Sequence, residues 1–160
     1  MYVETQYFAS QRNESKNIMT NILNLIPQRP PIVLVDGVVT SSEESTTTSF
    51  TVPEGHILVE NGVLREPGLL ENIAQSAAAR AGYHLSLEGK EPQKGFIGDI
   101  SNVEITRLPI VGATLSTTVT QLQQIFNITL VKGVIQEGGE TIAQCEMKIV
   151  LMEEGATKPE

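Results

Sequence analysis

The acid–base chemistry that this sequence offers centres on Glu71, a carboxylate within an otherwise apolar helical stretch. A carboxylate directed toward a protein core must be paired, hydrated or used in function. Gln75 follows one helical turn later, and His56 precedes the stretch in a loop that contains glycine. A glutamate, a histidine and the free backbone N–H groups of a helix N-terminus together suit proton transfer next to a carbonyl group, where the N–H groups stabilise an oxyanion.

Each of these residues also has an ordinary structural interpretation. The helix dipole alone stabilises an ionised glutamate near the start of a helix, as Glu71 is. His56 and His84, the two histidines of the chain, are both expected in loop regions flanking the helix. Most histidines in surface loops have no catalytic role, so the residues alone leave both interpretations open.

Other common kinds of site find no support in the sequence. The two histidines are isolated and Cys145 is the single cysteine, so we expect no metal site. Residues 95–98 have two glycines but lack the lysine and the following helix of a phosphate-binding loop. Cys145 falls on the inward side of a predicted strand, where a packing role is expected.

Composition narrows the class of protein. The chain has 160 residues, of which 40% are hydrophobic and 19% charged, which indicates one globular domain. A formal net charge of −8 and an aromatic content of 4% argue against nucleic-acid binding. One cysteine excludes an internal disulfide and fits a reducing compartment. No apolar run is long enough to predict a membrane span, and the N-terminus lacks a signal-peptide core, so we expect a cytoplasmic location.

Residues 65–83 are predicted to form a long central helix. Pro67 suits the first helical position and Gly82 suits the end. Helical spacing places six apolar residues, mostly alanine, on one face: Leu70, Ile73, Ala74, Ala77, Ala78 and Ala81. A face of small side chains allows a curved sheet to approach the helix closely.

The rest of the pattern is that of an α+β domain. A short helix is predicted over 17–26, strands over 32–40 and 46–52, and a small hairpin around Asn61-Gly62 over 58–64. Four antiparallel strands are predicted after the central helix, over 95–107, 114–125, 126–135 and 141–152. We expect a flexible N-terminus over 1–16, a single domain over 17–152 and a loose C-terminal tail over 153–160.

Three segments together resemble the 3-hydroxyacyl-(acyl carrier protein) dehydratases. Residues 25–36 read LIPQRPPIVLVD, which is similar to the N-terminal segment of that family. Gly55-His56 resembles the start of the family's histidine loop, and 67–75, PGLLENIAQ, resembles its helix, with Pro-Gly ahead of Glu-x-x-Ala-Gln. Residues 107–115 loosely match a bend that follows. The resemblance covers roughly residues 22–152.

The resemblance implies a hot-dog fold, in which a curved antiparallel sheet wraps a long central helix. It also implies a dimer whose sheets join edge to edge, with active sites at the interface. By the same resemblance, His56 is the base that removes the proton next to a thioester carbonyl, and Glu71 is the acid that helps the 3-hydroxyl leave. Gly68 is the candidate oxyanion donor and Gln75 orients Glu71.

The departures from the family pattern point to a subgroup. Ile57-Leu58-Val59 replaces the family's Phe-Pro-Gly after the histidine, and Gln28 replaces a histidine near the N-terminus. Glu60-Asn61-Gly62, well ahead of Glu71, resembles divergent dehydratases of aryl-polyene-type pigment assembly. By that resemblance the standard histidine loop can be absent, and some members work in a mixed pair. The alternatives to a dehydratase are therefore a non-catalytic hot-dog subunit that pairs with an active homologue, and an acyl thioesterase, since fold does not fix function.

The resemblance also implies the partners. The substrate is expected on the phosphopantetheine arm of an acyl carrier protein or of coenzyme A, with no further cofactor. We expect a homodimer, with a heterodimer as the alternative. Because carrier proteins are acidic and this chain is acidic too, docking requires a local basic patch. Its candidates are Arg65, Arg80, Lys90, Lys94 and Arg107, with solvated surface charges as the alternative interpretation.

Overall fold

The computed structural model describes residues 20–152. The segments predicted as a loose N-terminus, 1–16, and a loose tail, 153–160, lie outside the described residues, as does the first part of the helix predicted over 17–26. The remainder of that predicted helix holds only a 3₁₀ turn, Ile22–Asn24. Asn21 caps this turn by accepting a hydrogen bond from the Leu23 N–H at 3.0 Å.

One long helix packs against an antiparallel sheet in the described part of the chain. In chain order the elements are β1 (Gly37–Ser41), β2 (Ser45–Thr51), β3 (Val59–Glu60), β4 (Val63–Leu64), α1 (Glu66–Leu87), β5 (Gly95–Ile105), β6 (Thr114–Ile125), β7 (Ile128–Glu137) and β8 (Glu140–Leu151). Six strands form the sheet in the order β1-β2-β6-β7-β8-β5, and neighbouring strands are antiparallel. The predicted α+β class and the hot-dog arrangement of helix and sheet are confirmed.

The core lies between α1 and the inner face of the sheet. Ile73 is fully buried at its centre. Gly133 of β7 lies against Ile73, since a Cβ atom at that position would be 2.2 Å from Ile73 Cγ2. The sheet contributes buried residues to this cluster from β2 and from β6 to β8, including Phe50, Leu115, Val119, Ile135, Cys145 and Met147. The helix therefore approaches the sheet over a glycine and not over a large side chain.

The helix is longer than predicted. It continues past Gly82 to Leu87, and a Cβ atom at Gly82 would be 1.8 Å from the carbonyl oxygen of Leu25. Gly82 is thus a close-packing position. The glycine that ends the helix is Gly89, whose φ is +69°. Its N–H donates to Ser86 O, and the Lys90 N–H donates to Leu85 O, which is a Schellman ending.

The strand predicted over 32–40 begins only at Gly37. Residues 32–36 run extended beside α1, because the backbone of Leu34 bonds to helix side chains instead of to a neighbouring strand. The hairpin predicted around Asn61-Gly62 is confirmed as β3 and β4, with φ values of 52° and 76° at these two residues. Such a pair of positive φ values is typical of a type I′ turn.

Candidate active site

Glu71 lies in the second turn of α1, and Gln75 holds its carboxylate. Gln75 Nε2 donates to Glu71 Oε1 at 2.8 Å and to the Ile32 carbonyl oxygen at 2.9 Å. Gln75 Oε1 accepts from the Leu34 N–H at 2.7 Å, and the residue is fully buried. Three hydrogen bonds fix the Gln75 amide, so Glu71 takes its orientation from a side chain that is itself immobilised. Within residues 20–152, Glu71 Oε2 makes no hydrogen bond.

Asn72 makes a second set of bonds beside Glu71. Its Nδ2 donates to the Leu34 carbonyl oxygen at 2.7 Å, and its Oδ1 accepts from Thr117 Oγ1 at 2.6 Å. Ser76, one turn later, donates to the Asn72 carbonyl oxygen and bonds the hydroxyl of Thr48, both at 2.7 Å. Sequence reasoning missed Asn72 and Ser76 as members of the site. Their signal was available, since Asn72, Gln75 and Ser76 are polar residues at i, i+3 and i+4 on a buried helix.

His56 lies on the far side of the 32–34 segment from this network. Its Nε2 bonds the Val33 carbonyl oxygen at 3.2 Å, and its Nδ1 accepts from the Leu58 N–H at 3.1 Å. A carbonyl only accepts, so the proton is on Nε2 and both ring nitrogens are engaged within the chain. The ring also meets Phe50 edge-on, with centroids 6.3 Å apart. No hydrogen bond joins His56 to Glu71 within residues 20–152. His56 bonds the segment at Val33, and Glu71 bonds Gln75, which in turn bonds the segment at Ile32 and Leu34.

Gly68 lies in the first turn of α1. Its N–H donates to the Arg65 carbonyl oxygen at 2.8 Å. A Cβ atom at Gly68 would be 2.5 Å from Leu64 Cδ1, so the absence of a side chain lets the helix start pack on β4. The N–H that is predicted to bind an oxyanion thus already donates a hydrogen bond within the chain. Close packing against Leu64 is a second explanation for a glycine at this position.

A cavity of about 590 Å³ lies between α1 and the strands β5 to β8. Its helix wall is the alanine stripe of the sequence, Ala74, Ala77, Ala78 and Ala81. Ala77 is buried, whereas the other three are partly exposed. The sheet wall is formed chiefly by Phe96, Ile97, Thr129, Val131, Ile149 and Leu151. Glu71 and Gln28 also line the cavity, and Gln28 Oε1 is buried without a hydrogen-bond partner among the described residues. His56 does not line the cavity.

Arg80 and His84 line another part of the cavity wall, where α1 meets the turn between β1 and β2. Arg80 is 8% exposed, and its Nη2 donates to the Glu43 carbonyl oxygen. His84 Nε2 donates to the Ser42 carbonyl oxygen at 3.1 Å. Burial, and next the positive charge of Arg80, lower the pKa of His84, while the bond to Ser42 and the carboxylates of Glu43 and Glu88 oppose that change. Burial also lowers the pKa of Arg80.

The residues predicted to dock a carrier protein are scattered. Arg80 is inside the cavity wall and not on the outer surface. Arg65 pairs with Glu66 at 3.2 Å, and Arg107 pairs with Glu137 at 2.9 Å and with Glu140 at 3.2 Å. Two further lysines lie after the helix, where Lys90 pairs with Glu88 at 2.8 Å and Lys94 is exposed.

Cys145 and the acidic residues offer no further chemistry. The Cys145 thiol is buried, and burial raises its pKa to about 11, so it is held as an unreactive thiol. No group of three or more histidine, cysteine, aspartate or glutamate residues between positions 20 and 152 could hold a metal ion. In the same part of the chain, no helix is both long and apolar enough to cross a membrane.

Comparison with known proteins gives a family. The family model described as ApeP-like, ApeP dehydratase, matches residues 20–158. A comparison with curated protein sequences finds no significant match.

Comparison with solved structures gives the same architecture at low sequence identity. The dehydratase heterocomplex ApeI:P from Xenorhabdus doucetiae matches with a TM-score of 0.78 and 17% identity, over 86% of this chain and 94% of that chain. A hypothetical thioesterase with coenzyme A from Streptococcus pneumoniae matches with a TM-score of 0.59 and 11% identity, over 72% and 84%. The PaaI protein of E. coli, from the phenylacetic acid degradation operon, matches with a TM-score of 0.55 and 15% identity, over 71% and 80%.

Proposed function

The chain belongs to the ApeP-like dehydratase family, and from this premise we propose that it dehydrates a 3-hydroxyacyl thioester to the trans-2-enoyl thioester in fatty-acid or polyene biosynthesis. The observation that carries the proposal is the Glu71 carboxylate, which Gln75 orients at 2.8 Å beside an alanine-lined cavity. A carboxyl group held this way can exchange one proton with a bound substrate. The acyl group is carried on the phosphopantetheine arm of a carrier protein or of coenzyme A.

The reaction needs one proton removed and one supplied. A base takes the proton from C2, the electrons of that C–H bond form the C2–C3 double bond, and the C3–O bond breaks. The leaving hydroxyl takes a proton and departs as water. We assign the acid role to Glu71, because its Oε2 has no bond within residues 20–152. The start of α1, with Gly68, is assigned to the thioester oxygen, where partial positive charge favours a developing oxyanion. For this role the Gly68 N–H must exchange its bond to the Arg65 carbonyl oxygen for the substrate oxygen.

We assign the base role to His56, and this role requires two changes from the geometry of the single chain. Both ring nitrogens bond the chain's own backbone, at Val33 and Leu58. To act as a base, the ring must exchange the Leu58 N–H bond at Nδ1 for the substrate proton. Because His56 does not line the cavity beside Glu71 of its own chain, the assignment also requires that the two residues meet across a subunit interface.

A second candidate function follows from the same observation about His56. Both ring nitrogens of His56 bond main-chain groups, so neither is free to act as a base. This arrangement suits a subunit that shapes the acyl cavity while a homologous partner performs catalysis. ApeI:P is by its name a dehydratase heterocomplex, and that name supports a mixed pair as the setting for such a subunit. Thioester hydrolysis is the remaining alternative, since a hypothetical thioesterase shares the fold.

The test is a dehydration assay on a short 3-hydroxyacyl thioester loaded on a carrier protein. Wild type is compared with Glu71→Gln, His56→Ala and a control, Glu91→Gln, whose carboxylate is in the exposed loop after α1. We expect Glu71→Gln and His56→Ala to lose on the order of 10² or more in kcat, the scale of acid–base help, with the control unchanged.

The other outcomes separate the alternatives. An active wild type with an unaffected His56→Ala variant would assign the base to another group. Wild type that is inert alone but active after addition of a homologous subunit would support the non-catalytic role. Release of free thiol without formation of the enoyl product would identify a thioesterase.

A further inference from the structure

Arg80 is the residue that the proposed chemistry leaves unexplained. It is 92% buried, since its exposed fraction is 8%, and it lines the same cavity as Glu71. Its Nη2 donates to the Glu43 carbonyl oxygen, whereas its Nε is buried without a partner among residues 20–152. In the same part of the chain, no carboxylate forms an ion pair with it. A buried guanidinium with donors in excess of its acceptors is costly to stability unless something else uses them.

The position of Arg80 relative to Glu71 follows from helix geometry. The two residues are nine positions apart, which corresponds to about 13.5 Å along the helix axis and about half a turn around it. They therefore lie at opposite borders of the alanine stripe, and the apolar part of the cavity separates them. A chain that begins at Glu71 must cross this apolar stretch before its far end reaches Arg80.

The surroundings of Arg80 are polar, in contrast to the middle of the cavity. His84, Gln121 and Gln124 line the cavity with it, and the Gln121 N–H donates to the Glu44 carbonyl oxygen at 2.9 Å. The end of β6 and the β1–β2 turn thus meet at this point. The cavity therefore has the Glu71 carboxylate at one border of the alanine stripe, small apolar side chains along the stripe and a polar region around Arg80 at the other border.

We infer that the cavity binds an acyl chain whose far end carries an uncharged hydrogen-bond acceptor, such as a hydroxyl, ether or carbonyl oxygen, and that Arg80 binds this oxygen. The inference rests on the proposed function, because it treats the occupant as the acyl chain of a thioester. An acceptor oxygen in the cavity adds a second partner to a guanidinium that has one acceptor, the Glu43 carbonyl oxygen, among residues 20–152. A carboxylate is disfavoured, because Glu43 and Glu88 line the same cavity. A plain methyl end would leave the guanidinium without its acceptor.

The test compares two 3-hydroxyacyl thioesters of equal chain length, one ending in a methyl group and one in a methyl ketone. In wild type, kcat/KM for the ketone-ended substrate is expected to exceed that for the methyl-ended one by on the order of tenfold, the scale of one hydrogen bond to a charged group. Arg80→Met should remove or invert this ratio, and Arg80→Lys should keep part of it. Lys132→Met, at an exposed position of β7, is the matched control and should keep the wild-type ratio.

A binding measurement separates this inference from the proposed function. Calorimetry with the corresponding unreactive acyl-pantetheine amides reports the same preference without any turnover. If no thioester is dehydrated but the ketone-ended amide binds more tightly and only when Arg80 is present, the proposed reaction fails and the chain-end site stands. Equal kcat/KM values for both substrates in wild type, or a ratio that survives in a folded Arg80→Met variant, would overturn the inference.

Discussion

Asn72 and Gln75 give the 32–34 segment the hydrogen bonds that a neighbouring strand would otherwise supply. The Leu34 N–H donates to Gln75 and the Leu34 carbonyl oxygen accepts from Asn72, and all three residues are fully buried. Buried amides of this kind stabilise only while every group is paired. The orientation of Glu71 therefore depends on its bond to Gln75, and the position of Gln75 depends in turn on Leu34, which Asn72 also bonds.

Replacing Asn72 tests this dependence at the level of one residue. Asn72→Ala leaves the Leu34 carbonyl oxygen and the Thr117 hydroxyl without their partner. We expect the free energy of unfolding to fall by about 2–3 kcal/mol, the cost of leaving buried polar groups unpaired. Asn24→Ala, at an exposed asparagine, is the control and should change it by less than about 0.5 kcal/mol. Urea unfolding of both variants provides the measurement. Equal decreases in the free energy of unfolding would show that the network does not contribute to stability.

Part of this network is predictable from the sequence, and part is not. The contact between Glu71 and Gln75 follows from their i, i+4 spacing on a helix. The partners of His56 do not, because they depend on the path of an irregular loop and of a segment 23 residues away. The sequence predicts Arg80 to be a carrier-docking residue or a solvated surface charge, since nothing in its local sequence indicates that the β1–β2 turn covers it.

At the level of elements, the last turns of α1 hold the turn between β1 and β2. Arg80 donates to Glu43 and His84 donates to Ser42, each to a main-chain carbonyl oxygen. The helix thereby fixes the position of an outer strand pair whose other contacts are mostly within the sheet. Burial and the charge of Arg80 both disfavour protonation of His84, so the stability of the folded chain depends on pH through this residue.

The pH dependence has a definite sign. The pKa of His84 is lowered in the folded state from its ordinary value of 6.5. Below about pH 6.5 the unfolded chain binds a proton that the folded chain does not, so the free energy of unfolding decreases as the pH falls through this window and is retained above it. His84→Gln, which keeps a donor for Ser42, should flatten the decrease between about pH 7 and pH 5.5. Thermal unfolding across this range is the measurement, and parallel curves for the two proteins would contradict the prediction.

The lengths of elements were predictable where the pattern was regular. β6 has the predicted bounds, and β2 and β8 differ from theirs by one residue at each end, because alternation of inward and outward side chains defines a strand directly. The end of α1 was placed too early, at Gly82, since a glycine that packs against Leu25 looks the same in sequence as one that ends a helix. In the structure the two glycines differ, because Gly89 has a φ of +69° and a Cβ atom at Gly82 would be 1.8 Å from the Leu25 carbonyl oxygen.

On the scale of the whole molecule, the two edge strands of the sheet differ in length, since β1 has 5 residues and β5 has 11. β5 is an edge strand of 11 residues with one neighbour, β8, and its exposed apolar residues are Phe96, Ile97, Ile100 and Val103. Long exposed apolar edges are usually covered or paired. The expected edge-to-edge dimer would place two β5 strands together, and a homologous chain could take the place of the second copy.

A charge on this edge tests the expected dimer. Val103→Lys adds a charge to β5, where Val103 is 45% exposed, and should shift the protein toward the mass of one chain, 17.4 kDa. Leu122→Lys is the matched control, because Leu122 is 47% exposed on β6, in the interior of the sheet order, and it should leave the mass unchanged. Analytical ultracentrifugation measures both. If the wild-type protein sediments with the mass of a single chain, the prediction that this chain forms a dimer with itself is wrong.

The bond from the Leu34 N–H to Gln75 Oε1 makes one backbone proton a reporter of the site. It is fully buried and is held by a side chain 41 residues away, not by a helix or a strand. Its exchange with solvent deuterium therefore requires that α1 separate from the 32–34 segment, even while every ladder of the sheet stays intact. The exchange rate of this single amide measures how often the carboxylate of Glu71 loses its support, in the absence of any substrate.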